Sequence, residues 1–168
     1  MKKLFVVLLS LAALFCIASC ASAPAAGASA SKAAPAVKPL LMTYGSGPWG
    51  SNNQATAKNM LPKVTKGQTV TITLDGTSDT DIPYLQVVVV DTSEAANWWG
   101  ELSEYLAVTT DIKAGTPFSA TVEVPITKDT KGETSIAFQA MTAEGVSEAV
   151  VTGGWITLTP TVFTATVQ

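Results

Sequence analysis

Apolar and polar residues alternate with period two over much of the second half of this chain. Residues 69–74 read TVTITL, which puts Val70, Ile72 and Leu74 on one face and threonines on the other. Phe118, Ala120, Val122, Val124 and Ile126 alternate with Ser119, Thr121 and Glu123, and Ile136 and Phe138 with Ala137 and Gln139. The stretch from Trp155 to Val167 alternates again around Pro160, a residue that marks a bulge, a bend or a change of strand. Tyr84–Val90 is apolar on both faces towards its end, as a central, covered strand would be. Between these runs stand turn pairs: Lys66-Gly67, Asp75-Gly76, Ala114-Gly115, Lys131-Gly132, Glu144-Gly145 and Gly153-Gly154. Short alternating strands punctuated in this way predict an all-β domain, an antiparallel β-sandwich or barrel, over residues 39–168. The one helix the pattern admits is a short one around Glu94–Tyr105.

The first forty residues follow different rules. Lys2 and Lys3 precede an apolar run from Leu4 to Phe15 broken only by Ser10. That run has the length of a secretory h-region and is short of the ~20 residues that span a bilayer. Ile17-Ala18-Ser19-Cys20 then resembles the lipobox of bacterial lipoprotein precursors. The resemblance implies a signal segment over residues 1–20, a lipid on Cys20 and a place in the cell envelope. Ala21-Ser22 lacks the aspartate associated with inner-membrane retention, which favours the outer membrane. Residues 21–38 are built from Ala, Ser, Pro and Gly with two lysines and read as a tether. As a flexible coil such a tether holds the domain ~25 Å from its anchor, and fully extended it reaches ~60 Å.

Composition excludes several function classes. The chain has no histidine, which removes Ser-His-Asp and Cys-His catalysis and every His-ligated metal. Of its two cysteines, Cys16 lies in the signal segment and Cys20 is the expected lipid acceptor, so no disulfide is expected. All ten basic residues are lysines, two of them Lys2 and Lys3, against thirteen acidic residues. An acidic chain without arginine is poorly suited to a phosphate backbone, so nucleic acid is not an expected partner.

The segment KGQTVTITLDGTSDTDIPYLQVVVVDTSEAANWWGELSE is similar to the first half of a jelly-roll carbohydrate-binding module of the glucan- and xylan-binding type. AGTPFSATVEVPITKDTKGETSIAFQA and the terminal WITLTPTVFTATV are similar to its later strands, so the resemblance covers roughly residues 40–168. It implies a non-catalytic domain with a polysaccharide or other glycan as partner. Sugar recognition makes its own demand: a flat aromatic surface for the C–H face of a pyranose, with amides or carboxylates for its rim of hydroxyls. Asn97-Trp98-Trp99 offers two indoles beside an amide; in an extended segment one would pack inward and the other face out. Tyr84 and Gln86 share the face opposite Leu85 and Val87, and Gln139 lies opposite Phe138. That group reads either as the polar lining of a glycan cleft or as a solvated sheet face. Trp49, in a Gly-rich loop followed by Asn52, Asn53 and Gln54, reads as a further ligand contact or as an anchor for that loop on the core.

Asp75, Asp79 and Asp81 invite a structural calcium ion, although their spacing is not that of an EF-hand; no other cofactor is expected. The carboxylate pairs Glu101/Glu104 and Glu144/Glu148 would suit a glycosidase, but a small sandwich without a deep insertion is expected to bind rather than cleave. The competing expectation is a structural or protein-interaction lipoprotein of the envelope with no small ligand.

Overall fold

The computed structural model describes residues 37–47 and 50–168. The signal segment, Cys20, nearly all of the tether and Trp49 lie outside the described residues. Among the described residues there are nine strands: β1 (Leu40–Gly47), β2 (Gly50–Leu61), β3 (Thr69–Ser78), β4 (Ile82–Asp91), β5 (Gly100–Glu101), β6 (Leu106–Ile112), β7 (Phe118–Pro125), β8 (Thr134–Met141) and β9 (Trp155–Val167). Every pairing between them is antiparallel. The hydrogen-bonded order is β5-β4-β8-β2-β1-β9-β3-β7, with β6 also on β4. Setting aside the two-residue β5, this order divides into β6-β4-β8-β2 and β1-β9-β3-β7, the two four-stranded sheets of a jelly roll. The β1–β2 hairpin ties them, so the sheet curls over on itself.

The period-two pattern decides what lies inside the curl. Val70, Ile72 and Leu74 of β3, Leu85, Val87 and Val89 of β4, Ile136 and Phe138 of β8, and Ile156 and Leu158 of β9 are all buried in one core. The rings of Phe138 and Phe163 meet edge to face at 5.4 Å between centroids, with an interplanar angle of 67°, and join the two sheets. β4 and β8 are central, and each is buried along almost its whole length.

Four details depart from the sequence pattern. Asp75-Gly76 is not a turn: β3 runs on to Ser78, and the register against β9 shifts between Asp75 and Gly76. Thr161 is the extra residue of this bulge, beside Pro160, which has no N–H for a ladder. Gly76 is required because a Cβ there would lie 2.5 Å from the Thr159 carbonyl oxygen. Residues 94–105 hold a single 3₁₀ turn, Glu94–Ala96, rather than a helix. Asn52–Gln54 belong to β2 rather than to a loop. Finally, β1, β2, β5 and β6 carry no clean alternation, and only the structure reveals them.

Candidate functional site

The outward residues of β4, β8 and β2 make the site. On β4 these are Tyr84, Gln86, Val88 and Val90, opposite the core-facing Leu85, Val87 and Val89. Register sets Gln86 against Gln139 and Gln139 against Gln54, so three glutamines from three strands stand in one row. Their amides are joined end to end. Gln86 Nε2 donates to Gln139 Oε1 at 2.8 Å, and Gln139 Nε2 donates to Gln54 Oε1 at 2.8 Å. Gln139 is only 6% exposed, so this is a preorganised buried ladder and not the solvated sheet face that the pattern also allowed.

The aromatic wall is built by a turn. Asp91 ends β4 with a buried carboxylate that accepts five hydrogen bonds: from the Ser93 hydroxyl and amide and from the amides of Lys131, Gly132 and Glu133. Burial alone would raise its pKa, but these donors outweigh it and hold the carboxyl well below the usual range. Asp91 thereby ties the segment 91–93 to the β7–β8 connection. The chain then makes its 3₁₀ turn, and Asn97 and Trp98 adopt left-handed backbone angles, φ 54° and 65°. The Trp98 amide closes the turn on the Ser93 carbonyl at 2.9 Å. So Asn97-Trp98-Trp99 is a tight turn and not an extended segment, yet it still separates the two indoles. Trp98 is 67% exposed, whereas Trp99 lies half-buried with Tyr105 over Val88, Val90 and Ala137.

Trp99, Tyr105, Glu101, Gln86, Gln139 and Gln54 line an open groove of about 870 Å³ on this face, which extends onto Thr43 and Leu41 of β1. Its opposite flank includes Gly145 and Ser147 from the β8–β9 connection. Asn53 holds that connection: its Nδ2 donates to the Val151 carbonyl at 2.7 Å and its Oδ1 accepts the Val151 amide at 2.9 Å. Gly50, at φ 110°, lets the hairpin approach it, because a Cβ there would run into the Ser147 side chain.

Tyr105 donates its hydroxyl to Glu101 Oε1 at 2.8 Å. Burial first, then the hydrogen bond to Glu101 and its charge, push the phenol up to about 12, while Trp99 and Gln139 near the oxygen pull the other way. The ring therefore stays a neutral phenol throughout the physiological range. Tyr84 is also shifted upward, by burial and then by the charge of Glu144.

Of the residues singled out in the sequence, Trp99, Gln86, Gln139, Asn52, Gln54 and Glu101 line the groove. Tyr84 shares their face but is buried and does not line it. Asn97 lines a separate hollow of about 240 Å³, and Trp98 stands off the groove altogether. Tyr105 and Thr43 were missed; both lie in segments without alternation. Asp75, Asp79 and Asp81 are spent on different partners: Asp75 accepts the Ser119 hydroxyl at 2.6 Å, Asp79 the Thr157 amide at 2.9 Å and Asp81 the Ala114 amide at 2.8 Å. Among the described residues, no group of three carboxylates or cysteines is placed to hold a metal ion. The arrangement can grip a flat, hydroxyl-rich molecule between an aromatic wall and an amide floor. Neither a protein-family model nor a curated protein matches the sequence.

Proposed function

We propose that this protein is a lipid-anchored component of the bacterial cell envelope whose jelly-roll domain binds carbohydrate without cleaving it. The observation that carries the reading is the Gln54–Gln139–Gln86 amide ladder on the floor of an open groove beside Trp99 and Tyr105. Gln86 Nε2 also donates to Met141 Sδ at 3.8 Å and Gln54 Nε2 to Thr56 Oγ1 at 3.4 Å, so what the ladder leaves for an equatorial hydroxyl is chiefly acceptor capacity: the Gln86 Oε1 lone pairs and a second lone pair on Gln139 Oε1 and Gln54 Oε1. Because the amides already orient one another, little side-chain entropy remains to be lost on binding. The aromatic wall supplies the complementary surface for the C–H face of a pyranose. Glycoside hydrolysis ordinarily needs two carboxyl groups ~5–10 Å apart. Glu101 is the one acidic side chain among the described groove-lining residues, and it is engaged by Tyr105. Anchoring rests on the Ile17-Ala18-Ser19-Cys20 segment, and outer-membrane placement on the residues that follow it.

Intrinsic fluorescence of the full-length chain titrated with soluble β-glucan and xylan tests the binding. The spectrum should shift and saturate, and Trp99→Ala should abolish the shift. A wild-type spectrum that no polysaccharide perturbs would favour a structural envelope lipoprotein instead.

A further inference from the structure

The second half of β9 has an open edge. On one side it pairs with β3 from Leu158 to Val167, and on the other with β1 only from Trp155 to Leu158. The β1 ladder stops at Leu40, beside Pro39, which has no N–H to extend it. Thr69 and Gln168 exchange both backbone hydrogen bonds, at 3.2 and 2.9 Å, and bonded pairs alternate with non-bonded ones in an antiparallel ladder. The next bonded pairs are therefore Thr71–Thr166, Thr73–Thr164 and Asp75–Val162. Phe163, Ala165 and Val167 turn their N–H and C=O groups the other way, to the open edge. There, among the described residues, no strand or loop bonds to them. Their side chains face the core but are only half-buried, while Val70, Ile72 and Leu74 on the neighbouring β3 are fully buried. The edge also lacks the usual guards. Residues 155–168 carry no charged side chain, whereas β7, the last strand of the same sheet, carries Glu123 and ends in Pro125. Pro160 and its bulge stand at the start of the open edge and leave residues 162–167 in regular register.

We infer that this edge is an interface between two copies of the protein, whose β9 strands pair antiparallel about a two-fold axis and join their sheets. The strand fits itself. With the axis at Thr164, Phe163 lies opposite the partner's Ala165, and Val162 opposite the partner's Thr166. Core-facing residues then meet core-facing ones, a large side chain against a small one. Phe163 and Ala165, which both point their backbone groups to the edge, become a bonded pair. An isologous pairing of this kind closes on itself and covers the edge in both copies. The inference is independent of the carbohydrate reading.

Sedimentation of the full-length chain carrying Cys16→Ser and Cys20→Ser, in a non-ionic detergent, tests this. Its mass should rise from one chain towards two as concentration is raised. Thr164 is exposed, so Thr164→Lys should fold normally, set two like charges face to face across the axis and weaken the dimer ~10-fold or more. Ala165→Pro removes an N–H that only the edge would use and should weaken it as well, with an unchanged far-UV circular dichroism spectrum showing that the fold is kept. In a non-bonded antiparallel pair the Cα atoms lie ~4.5 Å apart, within reach of a disulfide. Thr164→Cys in this background should therefore cross-link two chains under mild oxidation, and Thr121→Cys on β7 should not. A single-chain mass at every concentration overturns the proposal. So does a dimer that neither Thr164→Lys nor Ala165→Pro weakens, or one that Thr121→Cys cross-links as readily as Thr164→Cys.

Discussion

Gln86 and Gln139, 53 residues apart, meet as directly paired residues of β4 and β8 with their amides 2.8 Å apart. Gln139 cannot be removed without consequence. Gln139→Ala deprives Gln86 Nε2 of its oxygen acceptor, leaving it only Met141 Sδ at 3.8 Å, and Gln54 Oε1 of its donor, and should cost ~1–3 kcal/mol, well above an ordinary surface change. Urea unfolding of the variant measures it. A cost within ~0.5 kcal/mol would mean that water replaces the ladder freely.

One residue earlier, Phe138 faces the other way. It is fully buried and edge-on to Phe163, so Phe138→Ala should cost ~3–5 kcal/mol. Phe163 is only partly buried, and its truncation should cost less. Unfolding midpoints of the two variants compare them directly. The reverse order would contradict the assignment of the core face.

Asp91 makes the domain sensitive to acid. Its folded pKa is depressed below the ~3.9 of an unfolded aspartate, so its contribution is fully present above that value. It is lost as pH falls from there through the folded pKa. Asp91→Asn should therefore unfold more easily at neutral pH and show a flatter stability profile below pH ~4. Asp91→Ala, which strands several amides, should cost ~2–5 kcal/mol and loosen the turn that carries Trp99. Equal acid sensitivity in wild type and Asp91→Asn would show that other carboxylates govern it.

The two neighbouring tryptophans should part company. Trp98→Ala removes an exposed ring that stands off the groove and should leave stability within ~0.5 kcal/mol and glycan affinity unchanged. Trp98→Gly should gain up to ~1 kcal/mol, because a left-handed backbone angle costs a side-chain-bearing residue that much. Thermal melts and titrations of both variants check this. Loss of glycan affinity in Trp98→Ala would move the site onto the turn.

What the sequence disclosed follows from which constraints are periodic. A strand with one face in the core must alternate, so β3, β7, β8 and β9 were legible, as was the shared face of Tyr84, Gln86 and Gln139. Pro160 announced an irregularity in β9 because its missing N–H is a local property. Gly76 misled because Asp-Gly reads as a hairpin turn, whereas the need for glycine came from Thr159, remote in sequence. Tyr105 was invisible for a similar reason. It lies between the two-residue β5 and β6, and its place over Ala137 and Val88 depends on the turn that Asp91 braces. Gln54 stands out in the sequence as an amide but not as a strand residue, since β2 bulges between Ala57 and Leu61 and shows no sustained alternation.

The most direct test of the account is to watch the groove's own side chains while the ligand binds. Two-dimensional NMR of the isotope-labelled full-length chain would follow the side-chain amides of Gln54, Gln86 and Gln139 and the indole N–H groups during titration with a neutral oligosaccharide. The account predicts saturable shifts at these three amides and at the Trp99 indole, with the Trp98 indole unmoved. Shifts confined to other surfaces, or a spectrum that no glycan alters, would contradict it.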